Sequence, residues 1–368
     1  ESSEQKLRGA YYTPLQLADA IVELFASQNI STILEPSCGD GVFIDSLKNQ
    51  GLLSKIKTLT AIEIDPDEAK KVRSRYSDFG QVEVYTEDFF NYYNRALGKE
   101  CFDLILGNPP YIRYQYLKES QREIQSEILT SHGMKANKLI NAWVAFIVAC
   151  VQLLSENGKI AFVIPAEILQ VSYAEDLRLY LANNLAKITL ITFEQLVFPD
   201  IEQEVVVFIG EKGKEEKGIR IIEMNNLDDF IKLKLEKNSF QKLQHVKEKW
   251  TKYFLTKDEM ALIQELRGDK RFAKFSEYGL INVGITTGNN SYFSVTEKTT
   301  EKYDLSEATL PLLGRSSHAH GIFFTLENWE SNKRGGKRAR LISFPDIPYE
   351  EYPDGYKQYI MLGEKNGE

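Results

Sequence analysis

The chain has 368 residues, which is long enough for two domains, and its 43% hydrophobic and 27% charged residues are ordinary for a folded globular protein. No apolar run approaches the roughly 18 residues of a membrane-spanning helix, so we expect no membrane partner. The net charge of −8 argues mildly against nucleic acid as a partner, but such binding needs only one basic face.

Three cysteines, Cys38, Cys101 and Cys150, are odd in number and widely spaced. They predict the reduced thiols of a cytoplasmic protein, because the spacing fits neither a disulfide framework nor a zinc site. His318 and His320 alternate along the chain without a third ligand nearby, so we predict no metal site.

The first predicted helix, residues 15–25, follows Tyr12-Thr13-Pro14. Thr13 is a suitable N-cap, and Pro14 suits the first helical position. The segment is either a simple helix start or a lip that faces a ligand.

A short predicted strand, residues 31–35, leads into Pro36-Ser-Cys-Gly-Asp-Gly41 and a helix over 42–49. Strand, glycine-bearing turn and helix form the first unit of a nucleotide-binding α/β fold, where glycines allow the backbone to approach a ligand closely. The turn is not Gly-x-Gly-x-x-Gly, and Glu35 ends the strand. An acid there suits a cationic ligand better than a pyrophosphate, and S-adenosylmethionine carries both an ammonium and a sulfonium.

Two further predicted strands also end on acids. The strand over 59–65 brings Glu63 and Asp65 about 20 residues after the glycine turn, where a carboxylate can bind ribose hydroxyls. The strand over 81–85 precedes Asp88 and Phe89, where an acid could accept from an adenine amino group while the ring stacks on the base. Two acids in an ordinary loop remain the alternative interpretation for the first pair.

The fourth predicted strand, residues 102–107, delivers Asn108-Pro-Pro-Tyr111 to its carboxyl end. The prolines stiffen the turn, and ligands bind at this end of strands in open α/β sheets. The Asn108 amide oxygen and the Pro109 carbonyl can both accept from one NH₂ group, and Tyr111 adds an aromatic face. The pattern fits alkylation of an amino group on a planar, conjugated substrate; the alternative is a proline turn that caps a strand.

The remaining pattern up to residue 224 alternates helices with strands over 159–165, 186–193 and 204–209. It predicts a largely parallel sheet with a terminal antiparallel pair. Residues 211–218 are predicted to form an exposed hairpin turn. The polar and aromatic stretch 112–134, which contains Arg113, is either a helix near the mouth of the site or a loop that touches substrate.

A compositional shift marks residues 225–270 as a charged helical linker, so we expect domains at 1–224 and 271–368. The second domain opens with a predicted strand, turn and strand over 281–295. Five cations surround Gly335-Gly336, and they suit either phosphate contacts or a solvated loop: Lys333, Arg334, Lys337, Arg338 and Arg340.

These motifs, in this order over roughly the first 210 residues, resemble the gamma-class adenine-N6 DNA methyltransferases, in particular the TaqI-like enzymes of restriction-modification systems. The segments that carry the resemblance are Tyr12-Thr-Pro14, Leu34-Glu-Pro-Ser-Cys-Gly-Asp-Gly41, Ile62-Glu-Ile-Asp65, Asp88-Phe89 and Asn108-Pro-Pro-Tyr111. The phrase Thr286-Thr-Gly-Asn-Asn290 resembles, more weakly, the opening of that family's recognition domain. The implied fold is the α/β class I Rossmann-like S-adenosylmethionine-dependent methyltransferase fold, a seven-stranded mostly parallel sheet, followed by a mixed α+β DNA-recognition domain.

The resemblance also implies roles for individual residues. The cofactor-binding set is Tyr12, Thr13, Pro14, Glu35, Pro36, Cys38, Gly39, Gly41, Glu63, Ile64, Asp88, Phe89 and Asn108. Within it, Thr13 and Pro14 would bind the methionine end, Glu63 the ribose, and Asp88 with Phe89 the adenine. A flipped target adenine would be held by Asn108, Pro109, Tyr111 and Phe198. The expected partners are double-stranded DNA, contacted by Arg113 and the five cations, and a cognate restriction endonuclease or a fused nuclease or specificity region.

Two other functions remain open from the sequence. A protein-glutamine or RNA methyltransferase can use the same Asn-Pro-Pro-Tyr motif on an amide or amine. A catalytically silent DNA-specificity subunit would keep the fold without transferring a methyl group. The Tyr-Thr-Pro segment and the large C-terminal domain favour DNA over the first alternative, and the intact motifs argue against the second.

Overall fold

The structure, a computed structural model, describes residues 12–135, 141–197, 203–233, 235, 240–243, 248–280, 284–319 and 321–366. The chain divides into two compact units, residues 1–269 and 270–368. Most of the stretch interpreted as a linker therefore lies within the first unit. The assignment of a catalytic role to one unit and a recognition role to the other stays a prediction.

The first unit alternates strands and helices along the chain. Its strands are β1 Thr32–Glu35, β2 Thr58–Glu63, β3 Val82–Thr86, β4 Phe102–Gly107, β5 Leu154–Pro165, β6 Lys187–Phe193, β7 Val205–Glu211, β8 Gly218–Met224 and β9 Gln241–Lys242. Its helices are α1 Leu15–Glu23, α2 Val42–Asn49, α3 Pro66–Arg75, α4 Phe89–Ala96, α5 Glu119–Ser131, α6 Ala142–Gln152, α7 Glu175–Asn184, α8 Leu227–Ile231 and α9 Lys257–Gly268. Helix α1 begins at Leu15, as predicted, but its N-cap residue is Pro14 rather than Thr13. No helix of the described residues has the length and apolarity to cross a membrane.

All these strands form one sheet, in the order β3-β2-β1-β4-β5-β7-β6-β8-β9. The first five strands of this order are mutually parallel; in register, Leu34 of β1 lies opposite Thr60 of β2 and Ile105 of β4. Strand β7 runs antiparallel between β5 and β6. The order is that of a doubly wound nucleotide-binding sheet with an inserted antiparallel strand.

The predicted mostly parallel sheet is confirmed, and its seven strands are β3-β2-β1-β4-β5-β7-β6; within the described residues, β8 and β9 extend it to nine strands. One sequence prediction about the sheet is wrong. The predicted hairpin over residues 211–218 does not form, because β7 is already paired on both sides, with β5 and β6. Strand β8 instead pairs in parallel with the other edge of β6.

Apolar side chains cover both faces of the sheet. Because successive side chains of a strand point to opposite faces, Leu34 and Ile105 join one buried cluster, whereas Ile33 and Leu104 join the other. Helix α6 is buried along nearly its whole length in the first cluster, and α1 and α2 contribute to the second. Helices on both faces leave the ends of the strands as the place for a ligand.

The second unit contains a three-stranded antiparallel sheet in the order β10-β12-β11. Its strands are β10 Ser294–Val295, β11 Thr309–Pro311 and β12 Arg340–Ile342, and its helices are α10 Asn290–Phe293, α11 Glu297–Lys302, α12 Leu326–Arg334 and α13 Asp354–Asn366. The Tyr292 and Tyr359 rings stack in its core, with centroids 4.9 Å apart. Helix α10, capped by the Asn289 side chain, replaces most of the strand predicted before residue 295.

Trp250 tests whether the stretch after residue 225 belongs to the first unit. Its side chain is fully buried in the cluster that contains α6. We expect Trp250→Ala to lower the free energy of unfolding by about 3–5 kcal/mol, because it leaves a large cavity. Leu262→Ala in α9 is the control, since this side chain is 53% exposed and should cost far less. If urea unfolding shows that both variants lose the same small amount of unfolding free energy, this packing of Trp250 is contradicted.

Candidate cofactor and amino-group site

Four predicted site residues lie at one edge of the sheet. Strands β3, β2, β1 and β4 are adjacent and parallel, so their carboxyl ends share that edge. In order along this edge, Asp88 follows β3, Glu63 ends β2, Glu35 ends β1 and Asn108 follows β4. The parallel register thus brings together residues up to 73 positions apart in sequence.

The glycine turn between β1 and α2 is held by hydrogen bonds at several points. The Cys38 N–H donates to the Ile62 carbonyl at 2.8 Å, and the Gly41 N–H donates to the Cys38 carbonyl at 2.8 Å. Gly41 adopts a φ of 84°, and a Cβ there would lie 3.2 Å from Val72 Cγ2, so both backbone and packing require glycine. The Arg75 guanidinium donates to the Asp40 carbonyl at 2.9 Å from outside the turn. Arg75 is a site-shaping residue that the motifs did not reveal.

Glu63 is held by the same turn. Its Oε2 accepts from the Gly39 N–H and its Oε1 accepts from the Asp65 N–H, both at 2.8 Å. Burial raises the pKa of Glu63, while these backbone hydrogen bonds lower it. A carboxylate oxygen can accept more than one hydrogen bond, so a clamped Glu63 retains the capacity to accept from ribose hydroxyls.

Glu35 is the most buried acid of the site, only 1% exposed. Its Oε2 has no hydrogen-bond partner among the described residues. Burial raises the pKa of Glu35 well above its usual range, and the negative charges of Asp40, Glu63 and Asp45 raise it further. Burial of an unpaired carboxylate destabilises the fold unless a cation or a hydrogen-bond donor lies next to it. A positively charged group at this position would therefore be stabilised.

Asp88 caps helix α4 and is bound from a second side. Its Oδ1 accepts from the Phe90 N–H at 2.9 Å, and its Oδ2 accepts from Gln121 Nε2 at 2.7 Å. The expected stacking of the Phe89 ring on an adenine is wrong for this structure. That ring is 3% exposed and stacks on Phe146, with centroids 4.9 Å apart. A contact from Phe89 to a ligand would therefore use its backbone N–H, at the first position of α4.

Asn108 is tied to the segment before α1. Its Nδ2 donates to Thr13 Oγ1 at 3.2 Å across 95 residues of sequence, and Thr13 is itself buried. The Asn108 backbone carbonyl accepts from Ser37 Oγ at 3.4 Å. The Tyr12 ring reaches the glycine turn, since a Cβ at Gly39 would lie 3.8 Å from Tyr12 Cε1. The three predicted segments around residues 13, 37 and 108 therefore meet in space.

Tyr111 is fixed by its hydroxyl. The hydroxyl donates to the Val163 carbonyl of β5 at 3.0 Å, and the ring packs against residues of both buried clusters. This anchoring holds the ring beside the rigid proline turn. Phe198, the other predicted aromatic of the target site, lies outside the described residues. Arg113, predicted to contact DNA, is exposed and forms an isolated antiparallel bridge with Asn141.

The five cations of the second unit do not form one exposed cluster. Arg340 forms a two-pronged ion pair with Glu297, at 2.5 and 3.2 Å, and Lys333 lies 3.9 Å from the same carboxylate. Lys333 also pairs with Glu330 at 2.9 Å. Lys337 Nζ donates to the Asn332 side chain at 2.8 Å. These three cations are partly buried and committed to internal contacts, which the spacing along the chain could not show.

Arg334 and Arg338 are the exposed members of this set. Arg338 donates to the carbonyls of Asn290 and Ser291, at 3.3 and 3.0 Å. It thereby braces the turn that follows Thr286-Thr-Gly. Thr287 Oγ1 donates to Asn290 Oδ1 at 2.7 Å within the same turn.

Glu35 predicts an unusual pH dependence of stability. A carboxyl whose pKa is higher in the folded than in the unfolded state makes the folded state bind more protons, so stability falls as pH rises from about 4.5 to the raised pKa. Glu35→Gln should therefore raise the free energy of unfolding of the ligand-free protein near pH 8, because the amide cannot ionise. The two proteins should converge towards pH 4.5. The measurement is urea unfolding of both proteins across this pH range. If their free energies of unfolding change with pH in parallel, Glu35 does not become a buried, uncompensated charge.

Family models match both parts of the chain. Residues 28–198 match the Eco57I restriction-modification methylase, and residues 247–368 match the C-terminal domain of the type II methyltransferase M.Eco57I. Among curated relatives, the type II methyltransferase M.AccI of Acinetobacter calcoaceticus is 25% identical over 348 residues, which are 90% of this chain and 62% of the relative. M.HincII of Haemophilus influenzae is 31% identical over 238 residues, 64% of this chain and 43% of the relative.

Solved structures show the same fold at low sequence identity. The type IIG restriction endonuclease BpuSI aligns over 96% of this chain and 45% of its own, with a TM-score of 0.54 and 14% identity. The DrdV–DNA complex aligns over 65% of this chain and 31% of its own, with a TM-score of 0.52 and 15% identity. The chain spans less than two thirds of the length of the curated relatives described above. The chain is thus similar, over two separate stretches, to restriction-modification methylases of the Eco57I type, and the solved structures share its fold.

Proposed function

We propose that the chain transfers a methyl group from S-adenosylmethionine to the exocyclic N6 of a specific adenine in double-stranded DNA, as the modification activity of a restriction-modification system. The observation that carries the proposal is the position of Asn108, at the edge shared with Glu35 and Glu63 and bonded to Thr13. A side-chain amide and a proline carbonyl can accept hydrogen bonds from an amino group. Their position beside an acid-lined ligand site suits an amino group that receives the methyl group.

Three acids along the sheet edge suit three parts of the cofactor. Glu35, buried and uncompensated, would pair with the ammonium of the methionine portion. Glu63 would accept from the ribose hydroxyls while it holds Gly39, and Asp88 would accept from the adenine amino group. When bound, the cofactor supplies an electrophilic methyl group on a sulfonium.

The remaining cofactor residues act mainly through shape and backbone. Thr13 and Pro14 would line the methionine end, since Thr13 is buried against Asn108. The other residues proposed to border the cofactor are Tyr12, Pro36, Cys38, Gly39, Gly41, Ile64 and Phe89. Burial raises the pKa of Cys38 well above its usual range, so its thiol stays protonated and acts as an apolar wall rather than as a nucleophile.

Asn108 and the Pro109 carbonyl perform the proposed chemistry by accepting hydrogen bonds from the target amino group. Two such bonds would hold the amino hydrogens out of the ring plane, so that the nitrogen lone pair leaves conjugation and points towards the methyl donor. The new C–N bond would form as the sulfonium C–S bond breaks, and one amino proton would be released. Preorganisation of these acceptors is the catalytic contribution, since they are held before substrate arrives. The Asn108–Thr13 hydrogen bond and the two prolines supply that rigidity.

A base inside a duplex cannot reach Asn108, so the target adenine must leave the stack. Tyr111 would offset part of that cost by stacking on the extruded base, worth about 1–3 kcal/mol. Its hydroxyl bond to Val163 fixes the ring in advance, so little side-chain entropy is lost on binding. Phe198 is proposed as the second stacking ring. A cognate restriction endonuclease, separate or fused, is the proposed functional partner.

The proposed role of Asn108 is tested by Asn108→Ala. We expect methyl transfer to DNA to slow by on the order of 10²–10³, because a preorganised acceptor is removed, while folding is retained. Asn91→Ala is the control, since Asn91 is an exposed amide on α4. The measurement is single-turnover transfer of a labelled methyl group at saturating cofactor. Near-normal transfer by Asn108→Ala would remove the amino-group site from the proposal.

The proposed DNA contacts are tested by salt dependence. Arg334 is exposed, whereas Lys333 is paired with Glu330 and lies near Glu297. Arg334→Gln should lower the slope of log affinity against log salt by about 0.9, because one phosphate contact is lost. Lys333→Gln should leave the slope nearly unchanged. A reversed pattern would show that the internal ion pairs open on DNA, and two unchanged slopes would remove both residues from the interface.

A further inference from the structure

The Gln121 side chain links the start of helix α5 to Asp88, and the proposed cofactor contacts give no reason for this link. It occupies the third position of helix α5, where its Oε1 accepts from the Lys118 N–H at 3.2 Å. Its Nε2 donates to Asp88 Oδ2 at 2.7 Å, across 33 residues of sequence. Because an N–H can only donate and a carboxylate can only accept, the two partners fix which end of the amide is which.

Asp88 is thereby held at both oxygens. The Phe90 N–H binds Oδ1 and the Gln121 amide binds Oδ2, so the plane of the carboxylate is set from two directions. A helix cap alone fixes one oxygen and leaves rotation about the Cβ–Cγ bond. A second, charge-assisted bond removes that freedom and costs no further ordering when a ligand arrives.

We propose that Gln121 is a positioning residue for recognition of the cofactor's adenine: it holds Asp88 in the orientation that accepts from the adenine amino group. The inference rests on the proposed cofactor site. It assigns discrimination between an amino-bearing purine and its analogues to Asp88, which caps α4, and to Gln121 of α5, which acts only through Asp88.

The same helix turn organises the segment after Asn108-Pro-Pro-Tyr. Arg122 Nε donates to the Leu117 carbonyl at 2.8 Å, and its guanidinium lies 5.5 Å from the centre of the Tyr114 ring. Leu117 is buried. The start of α5 thus holds residues 114–118 on one side and Asp88 on the other, which connects the proposed adenine pocket with the proposed mouth of the target site.

Gln121→Glu isolates the bond to Asp88. Glutamate at this helix position still accepts from the Lys118 N–H, so the cap is retained. It cannot donate to Asp88 and places a second negative charge beside it. Ser120→Glu is the matched control, because it adds the same charge at an adjacent, exposed position. The probes are S-adenosylhomocysteine and its analogue with hydrogen in place of the adenine amino group, with affinities measured by calorimetry.

Wild type should prefer the amino-bearing ligand by roughly tenfold, the value of one hydrogen bond to a charged group. Gln121→Glu should abolish the preference by weakening only that ligand, and Ser120→Glu should retain it. If Gln121→Glu lowers the affinity for both ligands equally, Gln121 has only a structural role. If it raises the affinity for S-adenosylhomocysteine, Gln121 competes with the adenine amino group for Asp88. Either result overturns the inference. Failure of wild type to bind either ligand would instead overturn the proposed function.

Discussion

The parallel pairing of β3, β2, β1 and β4 is the constraint on which the site depends, because it places four strand ends at one edge. Each strand end carries a polar residue, and these residues form a ligand site only because they lie side by side. The hydrogen bond from the Gly39 N–H to Glu63 then joins the turn after β1 to the end of β2, and the bond from Asn108 to Thr13 joins β4 to the segment before α1. Backbone pairing thus supplies the coarse geometry, and a few side-chain bonds refine it.

Glu35 illustrates how such a site trades stability for binding. A carboxylate that is 1% exposed, with one oxygen unpartnered and three acids nearby, destabilises the ligand-free fold. The same features favour a cation that enters the site, because low dielectric strengthens the attraction. Local rules are commonly violated where a protein binds its ligand, and the surrounding apolar clusters supply the stability that the site lacks.

Local patterns predicted the strand ends well, since an apolar run followed by a turn determines where β1 and β4 stop. They failed where distant residues decide. The ring of Phe89 is buried because Phe146 of α6 lies against it, and Arg340 is withdrawn from solvent because Glu297 pairs with it. Strand β8 pairs with β6 rather than β7 because β7 lies inside the sheet. None of these contacts is visible in spacing along the chain.

The chemical identity of the product tests the central claim most directly. Unmodified plasmid DNA incubated with the chain and S-adenosylmethionine carrying a labelled methyl group would be digested to nucleosides and analysed by mass spectrometry. The account predicts label in N6-methyladenine, at one sequence context when the modified positions are mapped. Label in a methylated cytosine, or DNA without label, would contradict it, since the proposed role of Asn108 and Pro109 is to accept hydrogen bonds from an adenine amino group.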